Sequence, residues 1–189
     1  MRRLLYYVIL TADGLYADPD DGLDHYEPAE DEHRYANEML RDGAGEIMGR
    51  RMYDVMAYWD ELDVADPATP EVEREFAQYW RSTPKYVVSR GQPALRSNAT
   101  LLTGDVAEAV RRLKAADGPD LLLGCGADLF AELTAEGLID EYRFLVIPRA
   151  LGQGKALFTS LRSPLRLRLT GTRTFSAGSV LLTYVPEGA

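Results

Sequence analysis

Four short segments carry residue types able to hold a phosphorylated ligand. In Met48-Gly49-Arg50-Arg51 a strand end meets a glycine and then a helix start. Free backbone N–H groups and the positive end of the helix dipole collect at such a junction, and two guanidinium groups add charge-assisted contacts. Gly124-Cys125-Gly126-Ala127-Asp128-Leu129 follows an apolar strand, and its glycines let a ligand approach the backbone closely. It is not a dinucleotide fingerprint of the G-x-G-x-x-G type, because Leu129 stands where the third glycine belongs. Ser89-Arg90 offers a hydroxyl and a guanidinium after Tyr86–Val88, and Thr11-Ala12-Asp13-Gly14 closes the first strand. Each segment alone also reads as an ordinary turn, and an aspartate such as Asp13 is commoner as a turn cap than as a ligand contact. Jointly they say more, because ligands of open α/β sheets lie beyond the carboxyl ends of the strands.

The elements that must position these loops alternate. Leu4–Leu10 reads as a buried first strand, 30–42 as a helix stopped near Gly43, Glu46–Met48 as a strand, and 50–59 as a second helix. Thr69-Pro70-Glu71 has the composition of a helix start, with a capping hydroxyl, proline in the first turn and an acid near the dipole. Val72, Phe76, Tyr79 and Trp80 follow at helical spacing. Strands are expected at 85–90, 99–103, 120–123 and 141–147, and helices at 105–117, behind an Asp105-x-x-Glu108 capping box, and 127–136. Leu165, Leu167 and Leu169 alternate with polar residues, and 179–185 returns after Ser176-Ala177-Gly178, so the chain closes on an antiparallel hairpin. These signals predict one α/β domain over 1–189, with a mixed, mostly parallel sheet flanked by helices.

Composition narrows the partner. Acids outnumber bases 30 to 21, for a net charge of -9, which speaks against a nucleic-acid-binding module and for a small molecule. Two histidines and one cysteine cannot make a Cys/His zinc cluster, so no metal is expected. The single cysteine, Cys125, reads as a small buried filler rather than a nucleophile and fits a reducing, cytoplasmic setting. Leu4–Leu10 is too short for a membrane span, and no small-residue cleavage site follows it.

In this order the segments resemble the dihydrofolate reductase fold, and most closely the RibD C-terminal domains, the reductases of riboflavin biosynthesis. The resemblance is carried by Thr11–Gly14, Met48–Tyr53, Pro84–Arg90, Gly124–Leu129, Gly137–Glu141, Pro148–Gly154 and the hairpin from Thr172 to Tyr184, nearly the whole chain. It implies NADPH as cofactor. Gly49, Arg50 and Arg51 would meet the adenosine phosphates, and Ser89 and Arg90 the 2′-phosphate. Gly124, Cys125, Gly126, Ala127, Asp128 and Leu129 would meet the pyrophosphate, and Thr11, Asp13 and Gly14 the nicotinamide. It further implies reduction of a C=N or C=O bond in a small heterocyclic or carbonyl compound, like 5-amino-6-(5-phosphoribosylamino)uracil reductase, by a homodimer. The deaminase half of the bifunctional riboflavin enzymes is absent. Tyr26, Tyr53 and Trp59 are expected beside the substrate, and Asp13, Asp24 and His25 are the candidates for proton transfer. The carboxylate that dihydrofolate reductases carry in their first long helix has no matching motif here, although Glu30, Asp31, Glu32 and Glu38 lie in that helix. The competing reading is a structural or NADPH-binding dimer that has kept the fold without the chemistry.

Overall fold

The computed structural model describes residues 1–23, 25–96 and 98–187. Its frame is an eight-stranded sheet. Strand β1 spans Leu4–Thr11, β2 Leu15–Ala17, β3 Glu46–Gly49, β4 Lys85–Val88, β5 Ala99–Leu102, β6 Leu121–Gly124, β7 Glu141–Ile147, β8 Lys155–Ala156, β9 Leu167–Thr174 and β10 Val180–Pro186. The order across the sheet is β5-β4-β3-β6-β1-β7-β10-β9, while β2 and β8 form a separate two-stranded ladder. The six strands from β5 to β7 are parallel, and β10 and β9 add the expected antiparallel edge. Helices cover the faces of this parallel region: α1 (Glu30–Asp42), α2 (Arg50–Met56), α3 (Tyr58–Glu61), α4 (Glu71–Ser82), α5 (Val106–Ala115) and α6 (Ala127–Ala135).

A parallel strand buried on both faces has to be apolar throughout. β6 follows the rule, with all of Leu121, Leu122, Leu123 and Gly124 buried. Alternate residues feed two cores. Leu4, Tyr6, Ile47, Leu121 and Leu123 pack with Val110, Phe130 and Leu133 of α5 and α6. Leu5, Met48, Val87 and Leu122 pack with Leu40 of α1 and with Phe76 and Trp80 of α4.

Most helix ends obey the local chemistry expected of them. Asp105 caps α5 by accepting from the Glu108 N–H at 2.9 Å. After α6 the Gly137 N–H bonds the Thr134 carbonyl and the Leu138 N–H bonds that of Leu133, a closure that puts Gly137 at φ +63°. Gly137→Ala is therefore expected to lower stability by about 1 kcal/mol, the cost of a Cβ in the left-handed region, as read by urea denaturation.

Three expectations are corrected. Residues 50–59 form two helices that meet at Ala57 rather than one, because the turn swings Trp59 inward onto Phe76 (centroids 4.5 Å apart) and leaves Tyr58 outside. Thr69 does not cap α4. Its hydroxyl donates to the Asp63 carbonyl at 3.0 Å, and Pro70 takes the cap position with no side-chain bond. The β2–β8 ladder was not expected, since three and two residues are too few to show a periodicity.

Candidate functional site

Sheet order decides whether the four loops meet. Strands β4, β3, β6 and β1 are adjacent and parallel, so their carboxyl ends share one edge. The register aligns Gly49 with Val88 and Met48 with Gly124. Ser89-Arg90, Gly49-Arg50-Arg51, Gly124–Gly126 and Thr11–Gly14 therefore stand side by side along that edge. A Cβ on Gly49 would lie 3.8 Å from the Cβ of Cys125.

The start of α6 suits an anion. Its N-cap is Gly126, and no side chain occupies the free N–H groups of the first turn. Ala127 is buried, Leu129 packs on the core, and Asp128 is exposed, accepting from the Ser160 hydroxyl at 2.8 Å. The start of α2 at Gly49 is likewise uncapped. Arg50 pairs with Asp54 (2.6 Å) and Arg51 with Asp21 (3.2 Å), both on the surface. Such pairs contribute about 0–1 kcal/mol, so either guanidinium can exchange its partner for a phosphate. Arg90 is exposed beside the half-buried Ser89, whose hydroxyl accepts from the Gly91 N–H.

Asp13 acts within the protein. Its carboxylate accepts from the Thr11 hydroxyl (2.5 Å) and from the N–H groups of Gly152 (2.7 Å) and Leu151 (3.1 Å). The Thr11 bond first, then the backbone bonds, hold it below the usual carboxylate range. It thus braces the loop after β1 against the loop after β7. Gly14, at φ +80°, makes the turn from β1 into β2. The Cys125 thiol is buried, and desolvation pushes it far above the ordinary range, which suits a filler and not a nucleophile.

Next to this edge a cavity of about 560 Å³ opens between the sheet and α1. Its wall is mainly apolar and aromatic, and includes Ile9, Ala36, Met52 and Phe76. Tyr26 and Trp59 line it as expected, whereas Tyr53 does not. Tyr53 is 1% exposed, its ring lies in the α4-side core, and its hydroxyl accepts from the Arg96 N–H at 2.8 Å. Its position three residues into α2 turns it toward the sheet and away from the cavity. His25 is half-buried, and its backbone carbonyl accepts from Arg149; its ring Nδ1 is buried without a hydrogen bond among the described residues, and the residue is not in the cavity wall as described. Asp24 lies outside the described residues.

Besides Asp21 and Asp54, two acidic residues to which the sequence reading gave no role line the cavity. Glu32, on α1, is 2% exposed. Its Oε2 accepts from the Ala29 N–H (2.8 Å) and the Tyr26 hydroxyl (3.1 Å), and its Oε1 is buried with no hydrogen bond among the described residues. Glu32, Ala36 and Met39 share one face of α1 and all three line the cavity. An acid at this spacing on an apolar helical face was the signal available. Glu46, the first residue of β3, is the second. Burial pushes its carboxyl up to about 7, against the opposing pull of the nearby Lys85 ammonium. Its Oε1 lies 2.7 Å from where a Cβ on Gly124 would stand, so the glycine leaves room for this carboxyl as well as for a ligand.

Residues 2–181 match the family model of the RibD C-terminal domain. The uncharacterized protein YyaP of Bacillus subtilis is 33% identical over 138 residues, which is 73% of this chain and 71% of that protein. A putative riboflavin biosynthesis protein from Shewanella sp. PV-4 superimposes with a TM-score of 0.72 at 22% identity, covering 98% of this chain and 99% of its own. Dihydrofolate reductase from Enterococcus faecalis, solved with NADP(H), superimposes with a TM-score of 0.65 at 12% identity over 98% of this chain and 96% of its own. At these identities the two structures speak for the fold alone.

Proposed function

This chain belongs to the RibD C-terminal domain family, and from that membership we propose that it is an NADPH-dependent reductase of a C=N or C=O bond in a small heterocyclic or carbonyl compound. The observation that carries the proposal is the meeting of four strand ends, two of them opening uncapped helix starts, beside a cavity with an unpartnered buried carboxyl oxygen.

The residues present fit the cofactor. The N–H groups at the start of α6 suit a pyrophosphate. Arg50 and Arg51 suit the adenosine phosphates, and Arg90 a 2′-phosphate. When bound, NADPH supplies the hydride. The chain's own residues hold the substrate and exclude water. Glu32, through Oε1, would hold a proton for the reduced product. The Tyr26 hydroxyl, kept protonated because burial raises it, steadies Oε2.

The test is a fluorescence titration with NADPH and NADH. NADPH is expected to bind more tightly than NADH. Arg90→Ala is expected to weaken NADPH roughly 10–100-fold, the worth of one or two charge-assisted bonds, and to leave NADH unchanged. Absence of binding by either nucleotide would end the proposal. Binding with no NADPH oxidation across pteridines, pyrimidines and quinones would favour the non-catalytic reading.

A further inference from the structure

Charge within the cavity restricts what it admits. Its charged lining residues are Asp21, Arg51, Asp54, Glu32 and Glu46. The first three lie in surface ion pairs: Asp21 with Arg51 and Lys155, and Asp54 with Arg50. The two glutamates are not matched in this way. Glu32 keeps a buried Oε1 with no partner, and no hydrogen bond to the Glu46 carboxyl occurs among the described residues. Lys85 is the cation nearest Glu46, but its ammonium donates to the carbonyls of Trp80 and Thr83. His33, also in the wall with Tyr7, Tyr16, Tyr26 and Cys125, packs edge-on against Trp59 and Phe76 and bonds Asn37 through Nδ1 (3.2 Å). Carboxyl groups thus face the same space from α1 and from β3, with aromatic rings between them, and no unpaired arginine or lysine among the described residues lines it.

We propose that Glu46 is a second substrate-contacting carboxyl, opposite Glu32, and that the cavity selects a neutral or cationic nitrogen heterocycle with N–H donors on two edges and no phosphate. Two carboxyl groups in an apolar cavity attract N–H donors and positive charge. They repel a phosphate dianion, and Arg51, the arginine of the wall, is the group assigned above to the cofactor's own phosphates. The inference rests on the cavity being the substrate site of the proposed reductase. It narrows that reading to substrates unlike the phosphorylated pyrimidine of riboflavin biosynthesis.

Calorimetry on the NADP+-loaded protein tests it with three probes: 2,4-diaminopyrimidine, uridine and uridine 5′-monophosphate. The diaminopyrimidine is expected to bind most tightly and the monophosphate at least tenfold more weakly than uridine. Glu46→Gln should weaken the diaminopyrimidine about tenfold or more and strengthen the monophosphate, with NADP+ affinity unchanged. A merely structural role for Glu46 would move both probes the same way. Equal binding of uridine and its monophosphate, no binding of the diaminopyrimidine, or probe affinities in Glu46→Gln that match the parent would each overturn the inference. If NADP+ fails to bind, the reductase reading fails. The opposite shifts of the two probes in Glu46→Gln, repeated without nucleotide, still decide the question for the cavity.

Discussion

Lys85→Met is expected to destabilise the protein by about 3–5 kcal/mol at pH 8, the range found when one partner of a buried charge cluster is removed. Lys85 is 1% exposed. Its ammonium donates to two carbonyls at the end of α4, those of Trp80 and Thr83, and lies 4.4 Å from the Trp80 ring centroid. Burial lowers its affinity for a proton, and the carboxylates of Asp60 and then Glu46 raise it again. Methionine fills a similar volume but supplies none of these interactions. Two carbonyls lose their donor, and two carboxyl groups lose a compensating charge: Glu46, and Asp60, whose Oδ2 then keeps only the Arg96 guanidinium at 3.9 Å among the described residues. The loss should be smaller at pH 5.5, where Glu46 takes up a proton. Urea denaturation at the two pH values measures both effects. A loss under 1 kcal/mol at pH 8, or an equal loss at both, would show that the cluster does not hold together as described.

Lys85 and Glu46 also show what could and could not be read beforehand. Elements defined by local chemistry appeared in the sequence almost to the residue. The strand at 141–147 was legible as a short apolar run, α1 as an amphipathic face with a glycine stop, and α5 from its Asp105 cap. That the four loops share one edge followed from β-α alternation, because parallel strands end on the same side of the sheet; that their strands are neighbours is fixed by the sheet order. The cavity did not follow. It depends on how far α1 stands off the sheet and on α3 and α4 turning Trp59 and Phe76 toward it, and tertiary distances of that kind leave no periodicity. For Tyr53 and Trp59 the aromatic type suggested a pocket, yet the break at Ala57 decides which ring reaches it. The two glutamates were visible as anomalies. An acid opening a short, otherwise apolar strand, and an acid on the buried stripe of a helix, each break the pattern of their own element. Such breaks concentrate where stability is traded for function.

Glu46→Gln is expected to make the protein more stable, and only on the alkaline side. The folded state holds the Glu46 carboxyl near 7, while in the unfolded chain it titrates near 4.5. The folded form therefore binds this proton more tightly. Its contribution to stability is fully present below pH 4.5 and is lost as pH rises through 7. Above pH 8 the ionised carboxyl costs the fold about 3 kcal/mol, because each pKa unit is worth about 1.4 kcal/mol. Glutamine keeps the shape and cannot ionise. The variant should exceed the parent by about that amount at pH 8.5, roughly 6–12 °C in melting temperature for a chain of this size, and match it near pH 5. Parallel stability curves from pH 5 to 8.5 would show that the carboxyl is not desolvated. A positive difference confined to high pH would mean that the fold carries a charge it would be more stable without. That cost is understandable if Glu46 meets a ligand, since a desolvated carboxyl is a stronger and more selective acceptor for an N–H donor than a hydrated one.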